Sequence, residues 1–240
     1  MLDWLPENIS TYGVKIDFLF YLIYYITNVI FLFVAGTMIF FMIKYRFKEG
    51  RKAEYSHGNN KLEIIWTSAT TIGVLMLAVI SAPAWKEIKI DLPEPDIIVQ
   101  VTAEQFNWRM LYPGPDNVFG TIDDLEIENV LNVPVDKVVH IKLRSDDVIH
   151  SFFIPNLRLK QDALPGREIT VWFEAMKTGR YEIPCAELCG FGHSGMLGHL
   201  YVHSPEDYEA WVNENWPESL YLFQSTSEYL YKRIVKYDRN

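Results

Sequence analysis

The chain has 240 residues, 49% hydrophobic and 15% aromatic, with two cysteines and a formal net charge of −9. This composition excludes a disordered chain, a collagen-like repeat, a multi-disulfide scaffold and, with no dominant basic patch, a nucleic-acid-binding protein. The mean hydropathy of zero averages two unlike parts: residues 1–86 carry eight Lys/Arg against six Asp/Glu, and residues 87–240 carry fourteen against twenty-five. The acidic second part favours a cationic partner through long-range steering.

After an N-terminal segment, residues 1–17, Phe18–Ile43 runs for twenty-six residues without a charge. At about 1.5 Å per residue that exceeds the ~30 Å hydrocarbon core, so the run spans a membrane with some tilt. A cleaved signal peptide has a shorter apolar region and a basic flank, whereas Asp3, Glu7 and Asp17 here outnumber Lys15, so a retained helix is expected. Ile64–Trp85 is a second uncharged run, of twenty-two residues, with Pro83 near its end and Trp85 and Lys86 as interfacial anchors. Between the runs lie Lys44, Arg46, Lys48, Arg51, Lys52 and Lys61, the most basic stretch of the chain. The positive-inside rule puts that loop in the cytoplasm. Residues 18–90 therefore read as a transmembrane hairpin with both termini, and everything from about residue 87, outside.

Residues 91–204 read as β structure. Ile97–Thr102, Val138–Leu143, Ile169–Phe173 and Gly198–Val202 are short β-branched or aromatic runs, separated by turn signals such as Asn132–Pro134, Leu164–Gly166 and Thr178–Gly179. Such spacing predicts a sandwich or barrel. From Ser204, a capping residue followed by Pro205, the pattern becomes helical, and helices are expected around 205–215 and 226–236 in a C-terminal extension, 205–240.

The segment Cys185-Ala-Glu-Leu-Cys189-Gly-Phe-Gly-His193-Ser-Gly-Met196 concentrates thiolate, imidazole and thioether donors, the ligand set that selects copper. His150 lies upstream at the end of a strand-like run. Two cysteines alone are as readily a structural disulfide, and a lone His or Met is ordinary filler. The joint pattern is different. A mononuclear blue-copper site needs one Cys, so two thiolates suggest a two-copper cluster in which each ion also takes one His and one weak ligand. In Tyr112–Asp124, the residues Asp116, Asn117, Asp123 and Asp124 offer oxygens of the kind Ca²⁺ takes, although a solvated loop is the commoner meaning. His57, His140, His199 and His203 lack a soft neighbour at ligand spacing and read as structural.

Asp147-Val-Ile-His150-Ser-Phe-Phe-Ile-Pro155, then Lys160-Gln-Asp162-Ala-Leu-Pro165-Gly-Arg167, then the Cys-rich segment, together with the two-helix anchor, resemble subunit II of cytochrome c oxidase. The resemblance covers nearly the whole chain and implies a cupredoxin Greek-key β-barrel carrying a dinuclear CuA centre. It implies that Cys185 and Cys189 bridge two coppers, that His150 and His193 bind one each, that Met196 is a weak ligand and that Glu187 offers its backbone carbonyl. The Glu187 carboxylate would face subunit I at a Mg²⁺ site. Glu63, before Ile-Ile-Trp66-Thr, takes the place of a Glu near the entrance of a proton-uptake path. Phe106 stands where the family usually has the tryptophan through which electrons enter, while Trp108 keeps the second tryptophan; the departure bears on the donor and its route.

The function implied is one-electron relay from a c-type cytochrome, or a cytochrome-containing respiratory complex, to heme a in subunit I of a proton-pumping terminal oxidase. Oxygen would be reduced at heme a3 and CuB in subunit I, with subunit III as a further neighbour. A bacterial cytoplasmic membrane is the implied setting, with the CuA domain on the outer face. The run of Asp116, Asp123, Asp124, Glu126, Glu128 and Asp136, with no Lys or Arg between Arg109 and Lys137, is in most proteins just a solvated face; near an electron-entry site it would also dock a cationic heme protein. The alternative from another class is a membrane-anchored Cys-x-x-x-Cys copper chaperone or thiol protein. Those usually show a βαβ pattern and a His downstream of the cysteines, and neither is visible here.

Overall fold

The computed structural model describes residues 4–52 and 55–216, so the helix expected at 226–236 lies outside the described residues. The chain divides into two compact units, residues 14–91 and residues 1–13 with 92–240.

The first unit is two long helices, α1 (Gly13–Lys44) and α2 (Asn60–Lys89), each long and apolar enough to cross a membrane. Both extend past the apolar runs that mark them, because charged residues such as Lys15 and Lys86 continue the helical hydrogen bonding beyond the greasy centre. Asn59 caps α2 by accepting from the Lys61 and Leu62 amides, and Glu63 in its first turn complements the helix dipole. Lys15 and Glu87 form an ion pair that joins the start of α1 to the end of α2. Apart from Gly13 and Ala84 the helices bury no residue. A helix that is apolar all round and unburied within its own chain requires lipid or other subunits around it.

The second unit is built of strands β1 (Ile97–Glu104), β2 (Asn107–Tyr112), β3 (Leu125–Glu128), β4 (Val130–Pro134), β5 (Val138–Ser145), β6 (His150–Ile154), β7 (Leu159–Ala163), β8 (Ile169–Glu174), β9 (Gly179–Pro184) and β10 (Leu197–His203). They form a five-stranded sheet in the order β3-β2-β1-β5-β8, a three-stranded sheet β4-β10-β9 and the hairpin β6-β7. The ladders β1–β5 and β4–β10 are parallel and the others antiparallel. Alternation decides the faces: β2 buries Trp108, Met110 and Tyr112, and β5 buries Val139, Ile141 and Leu143. Leu131, Val133, Ile183, Leu200 and Val202 of the smaller sheet's strands are buried as well, and β2 packs against β4 and β10. Helix α3 (Pro205–Asn215) follows, with the Ser204 hydroxyl accepting from the Asp207 amide and Pro205 at the first position.

Two features depart from the sequence reading. Asn132–Pro134 is not a turn but the end of β4. Pro134 is tolerated there because β4 is an edge strand of its sheet. The N-terminal segment, expected only to lie outside, packs into the β unit. Ile9 and Tyr12 are buried at 1% exposure, the Ile9 amide donates to the Asn156 carbonyl, the Ile9 carbonyl accepts from the Met176 amide, and Ser10 bridges to Ala175.

Candidate metal centre

The cysteine-rich segment is the connection between β9 and β10, which pair antiparallel with Pro184 opposite Leu197. The Cys185 amide donates to the Met196 carbonyl at 3.1 Å and closes the base of this loop. The chain at Cys185 also bridges to Phe152 of β6, and the Ala186 amide donates to the Ser151 carbonyl. Two short-range pairings thus bring His150, at the start of β6, beside a segment that lies more than thirty residues further along the chain.

The Cys185 and Cys189 sulfurs are 3.9 Å apart, nearly twice the ~2.05 Å of a disulfide, and both thiols are free. Around them the His150 Nδ1 lies 3.9 Å from the Cys185 Sγ, the His193 Nδ1 3.6 Å from the Cys189 Sγ, and the Met196 Sδ 3.8 Å from the Cys189 Sγ. The Glu187 carbonyl accepts from the Cys185 thiol at 3.2 Å. Two sulfurs are therefore flanked by an imidazole apiece, and each has one weaker donor. Among the described residues, His150, Cys185 and Cys189 are the one group whose His, Cys, Asp or Glu ligand atoms converge closely enough to share an ion. Burial, with the Cys185 sulfur next to it, pushes the Cys189 thiol up to about 11. Two buried thiolates are unfavourable side by side without positive charge between them, and a soft cation supplies it. The donor set fits copper.

The orientation of His150 is fixed by Asp147. Its Nε2–H donates to the Asp147 Oδ1 at 2.8 Å, so the lone pair is on Nδ1, the nitrogen that faces Cys185. The other Asp147 oxygen accepts from the Gln105 amide at 2.7 Å, and the Gln105 side chain donates to the Cys189 carbonyl at 2.6 Å. Partial burial opposes the Asp147 charge, but hydrogen bonds from His150, Val148 and Gln105 outweigh it and hold the carboxyl below its ordinary range. Asp147 was legible only as part of a motif; its role needs the turn that folds it back onto His150. Asp147→Asn removes the charge but keeps the shape, and should weaken copper binding roughly 10- to 100-fold. Competitive titration against a copper chelator measures this, and an unchanged affinity would show that the carboxylate does not orient the ligand.

Phe106 and Trp108 are placed differently. Phe106 is 38% exposed and its ring lies along the loop: a Cβ at Gly192 would come 2.5 Å from it, and one at Gly190 would come 2.7 Å from the Gln105 side chain. Gly190 also has φ +135°, so the loop needs both glycines to lie this close. Trp108 is fully buried, with its ring 6.1 Å from His150 and 5.3 Å from Phe152, both edge-on. The Glu187 side chain is exposed on the loop and Glu63 is exposed in the first turn of α2.

The oxygens of residues 116–124 do not converge. Asp116 accepts from the Val118 amide, Asp124 from the Gly120 amide and Asp123 from the Thr121 hydroxyl, so this is a loop closed on its own hydrogen bonds. Three histidines have structural partners: His140 donates to the Pro93 carbonyl, His203 to Asn132, and His199 accepts from Arg180. His57 packs edge-on against Tyr55.

The comparisons agree over both units. Residues 5–83 match the family model "Cytochrome C oxidase subunit II, transmembrane domain" and residues 99–200 match "Cytochrome C oxidase subunit II, periplasmic domain". The alternative cytochrome c oxidase subunit 2 of Bradyrhizobium diazoefficiens is 31% identical, over 88% of this chain and 83% of the relative. Cytochrome c oxidase subunit 2 of a Synechocystis species is 30% identical, over 89% and 76%. Among solved structures, the periplasmic domain of subunit II of cytochrome oxidase from Bradyrhizobium japonicum is 32% identical, covers 52% of this chain and 96% of that one, and has a TM-score of 0.47.

Proposed function

The chain belongs to the cytochrome c oxidase subunit II family, and from that premise we propose that it is the electron-accepting subunit of a terminal oxidase, holding a dinuclear copper (CuA) centre in the β9–β10 loop. The observation that carries this is the gathering of two free thiols, two imidazoles and a thioether into one pocket of a membrane-anchored chain. Cys185 and Cys189 would bridge the metals, His150 and His193 would bind one each, and Met196 and the Glu187 carbonyl would complete the shell. When bound, the copper pair would supply one-electron relay with little nuclear rearrangement, between a c-type cytochrome and heme a of subunit I, where heme a3 and CuB would reduce oxygen. The copper-chaperone alternative loses its ground, since no βαβ crossover occurs among the described residues.

The residues of this chain divide the remaining work. Asp147 keeps the His150 lone pair on the metal side. Trp108 fills the space beneath His150, so water cannot enter and the ligand cannot turn. Phe106, partly exposed beside the glycines of the loop, would be the aromatic through which electrons enter from the surface. The exposed Glu187 carboxylate is available for a Mg²⁺ shared with subunit I, and Glu63 would lie at the mouth of a proton-uptake path there. Orientation follows from charge: the basic α1–α2 connection on the cytoplasmic side and the β unit outside.

The acidic run Asp116, Asp123, Asp124, Glu126, Glu128 and Asp136 would attract a cationic donor through its summed charge; a cytochrome c, or a cytochrome in a neighbouring respiratory complex, is of that kind. Stopped-flow reduction of the copper-loaded full chain by a ferrous, basic c-type cytochrome tests this. The second-order rate should fall on the order of tenfold or more between low salt and ~0.2 M ionic strength. A salt-independent rate would contradict electrostatic docking.

A further inference from the structure

The connection between α1 and α2 has chemistry that electron relay does not use. Two membrane spans flank it, so it lies at headgroup depth on one membrane face. Its described residues fold into an open concavity of about 1310 Å³, bounded by Tyr45, Arg46, Lys48, Arg51, Lys52 and Tyr55. Glu49 belongs to the same stretch of chain but does not line it. Arg51 is held in place: its Nη1 donates to the Lys44 carbonyl at 2.9 Å, and its guanidinium lies 5.4 Å over the Tyr45 ring. Lys44 Nζ lies 5.2 Å from the same ring. This arrangement closes the C-terminal end of α1 and leaves the remaining Arg51 N–H groups available to an anion. Arg46, Lys48 and Lys52 make no ion pair among the described residues.

Beside these cations, Phe47 is 91% and Tyr55 82% exposed. Inorganic phosphate would use the cations and gain nothing from the aromatics. A phospholipid uses both, with the phosphodiester among the cations and the glycerol and upper acyl chain against the rings. We propose that the α1–α2 connection is a binding site for an anionic phospholipid headgroup, anchored on Arg46, Arg51 and Lys52 with Phe47 and Tyr55 beneath it. The site is independent of the copper centre.

Native mass spectrometry of the full chain in detergent tests the site, with phosphatidylglycerol and phosphatidylcholine of matched chains titrated separately and inorganic phosphate as competitor. Phosphatidylglycerol should bind at least about tenfold more tightly than phosphatidylcholine. The variant Arg46→Gln/Arg51→Gln/Lys52→Gln should lose that preference while its far-ultraviolet circular dichroism and copper content stay unchanged. Phe47→Ser should weaken both lipids without altering their ratio. Equal binding of the two lipids by the parent chain, or a preference that survives the triple substitution, would overturn the proposal. Displacement of phosphatidylglycerol by millimolar inorganic phosphate, with no effect of Phe47→Ser, would overturn the lipid assignment in favour of a phosphate site.

Discussion

Cys189→Ser should leave a folded chain that holds at most one copper ion and shares no electron between two. The reason is chemical. Serine's hydroxyl is a hard donor that stays protonated near neutral pH, so it cannot replace a thiolate shared by two soft metals. The Cys189 sulfur lies 3.6 Å from the His193 Nδ1, 3.8 Å from the Met196 Sδ and 3.9 Å from the Cys185 Sγ. Its loss removes the common partner of three other donors. Copper per chain, measured by plasma mass spectrometry, should fall from two towards one or none, and any remaining copper should give the paramagnetic pattern of a single ion. Two coppers retained in the serine variant would contradict the bridging role. Cys185→Ser should behave similarly, but leaves His193 and Met196 grouped around Cys189 and so should retain a single copper more readily.

Trp108→Ala should have the largest effect on stability. The indole is fully buried and touches both the His150 and Phe152 rings edge-on. Truncation to a methyl removes the transfer free energy of the ring and leaves a cavity that a β unit of this kind cannot close, at a cost of about 3–5 kcal/mol. For a domain of this size that lowers Tm by roughly 10–20 °C, readable by calorimetry of the copper-free chain. Trp108→Phe should cost much less. It keeps most of the ring, and it removes an indole N–H that is buried without a hydrogen-bond partner. A Tm within about 2 °C of the parent for Trp108→Ala would show that the ring beneath His150 is not packed as described. Copper affinity should fall in the alanine variant too, since His150 would lose the wall that holds its plane.

How far these features are legible in sequence depends on how local their causes are. The helices are legible because twenty-six and twenty-two residues without a charge admit few other readings. Their ends are not, since α1 begins at Gly13 and α2 runs to Lys89, well into charged turns that hydropathy discards. Strands whose burial alternates or is continuous, such as Ile97–Glu104 and Val138–Ser145, stand out by composition. The β4 strand does not, because Asn132 and Pro134 are turn residues everywhere except on a sheet edge. The soft donors could be found because Cys, His and Met are rarely gathered so densely by chance. The hydrogen bonds that orient them could not. Asp147 acts through a turn, and Gln105 reaches the Cys189 carbonyl across eighty-four positions of sequence. The docking of Ile9 and Tyr12 was hidden for the same reason, since both depend on partners between Asn156 and Met176. In residues 116–124 the sequence offered Ca²⁺ ligands and turn residues with the same letters, and only the placement of Asp116, Asp123 and Asp124 on the loop's own donors separates the two.

The central claim is that two coppers lie between Cys185 and Cys189 and share one electron. Electron paramagnetic resonance of the full chain in detergent, loaded with copper and poised half-reduced, tests it most directly. An electron shared equally by two copper nuclei gives a seven-line hyperfine pattern, with two coppers per chain by metal analysis, and this is the predicted result. A four-line pattern from one copper per chain, or no bound copper at all, would contradict the account.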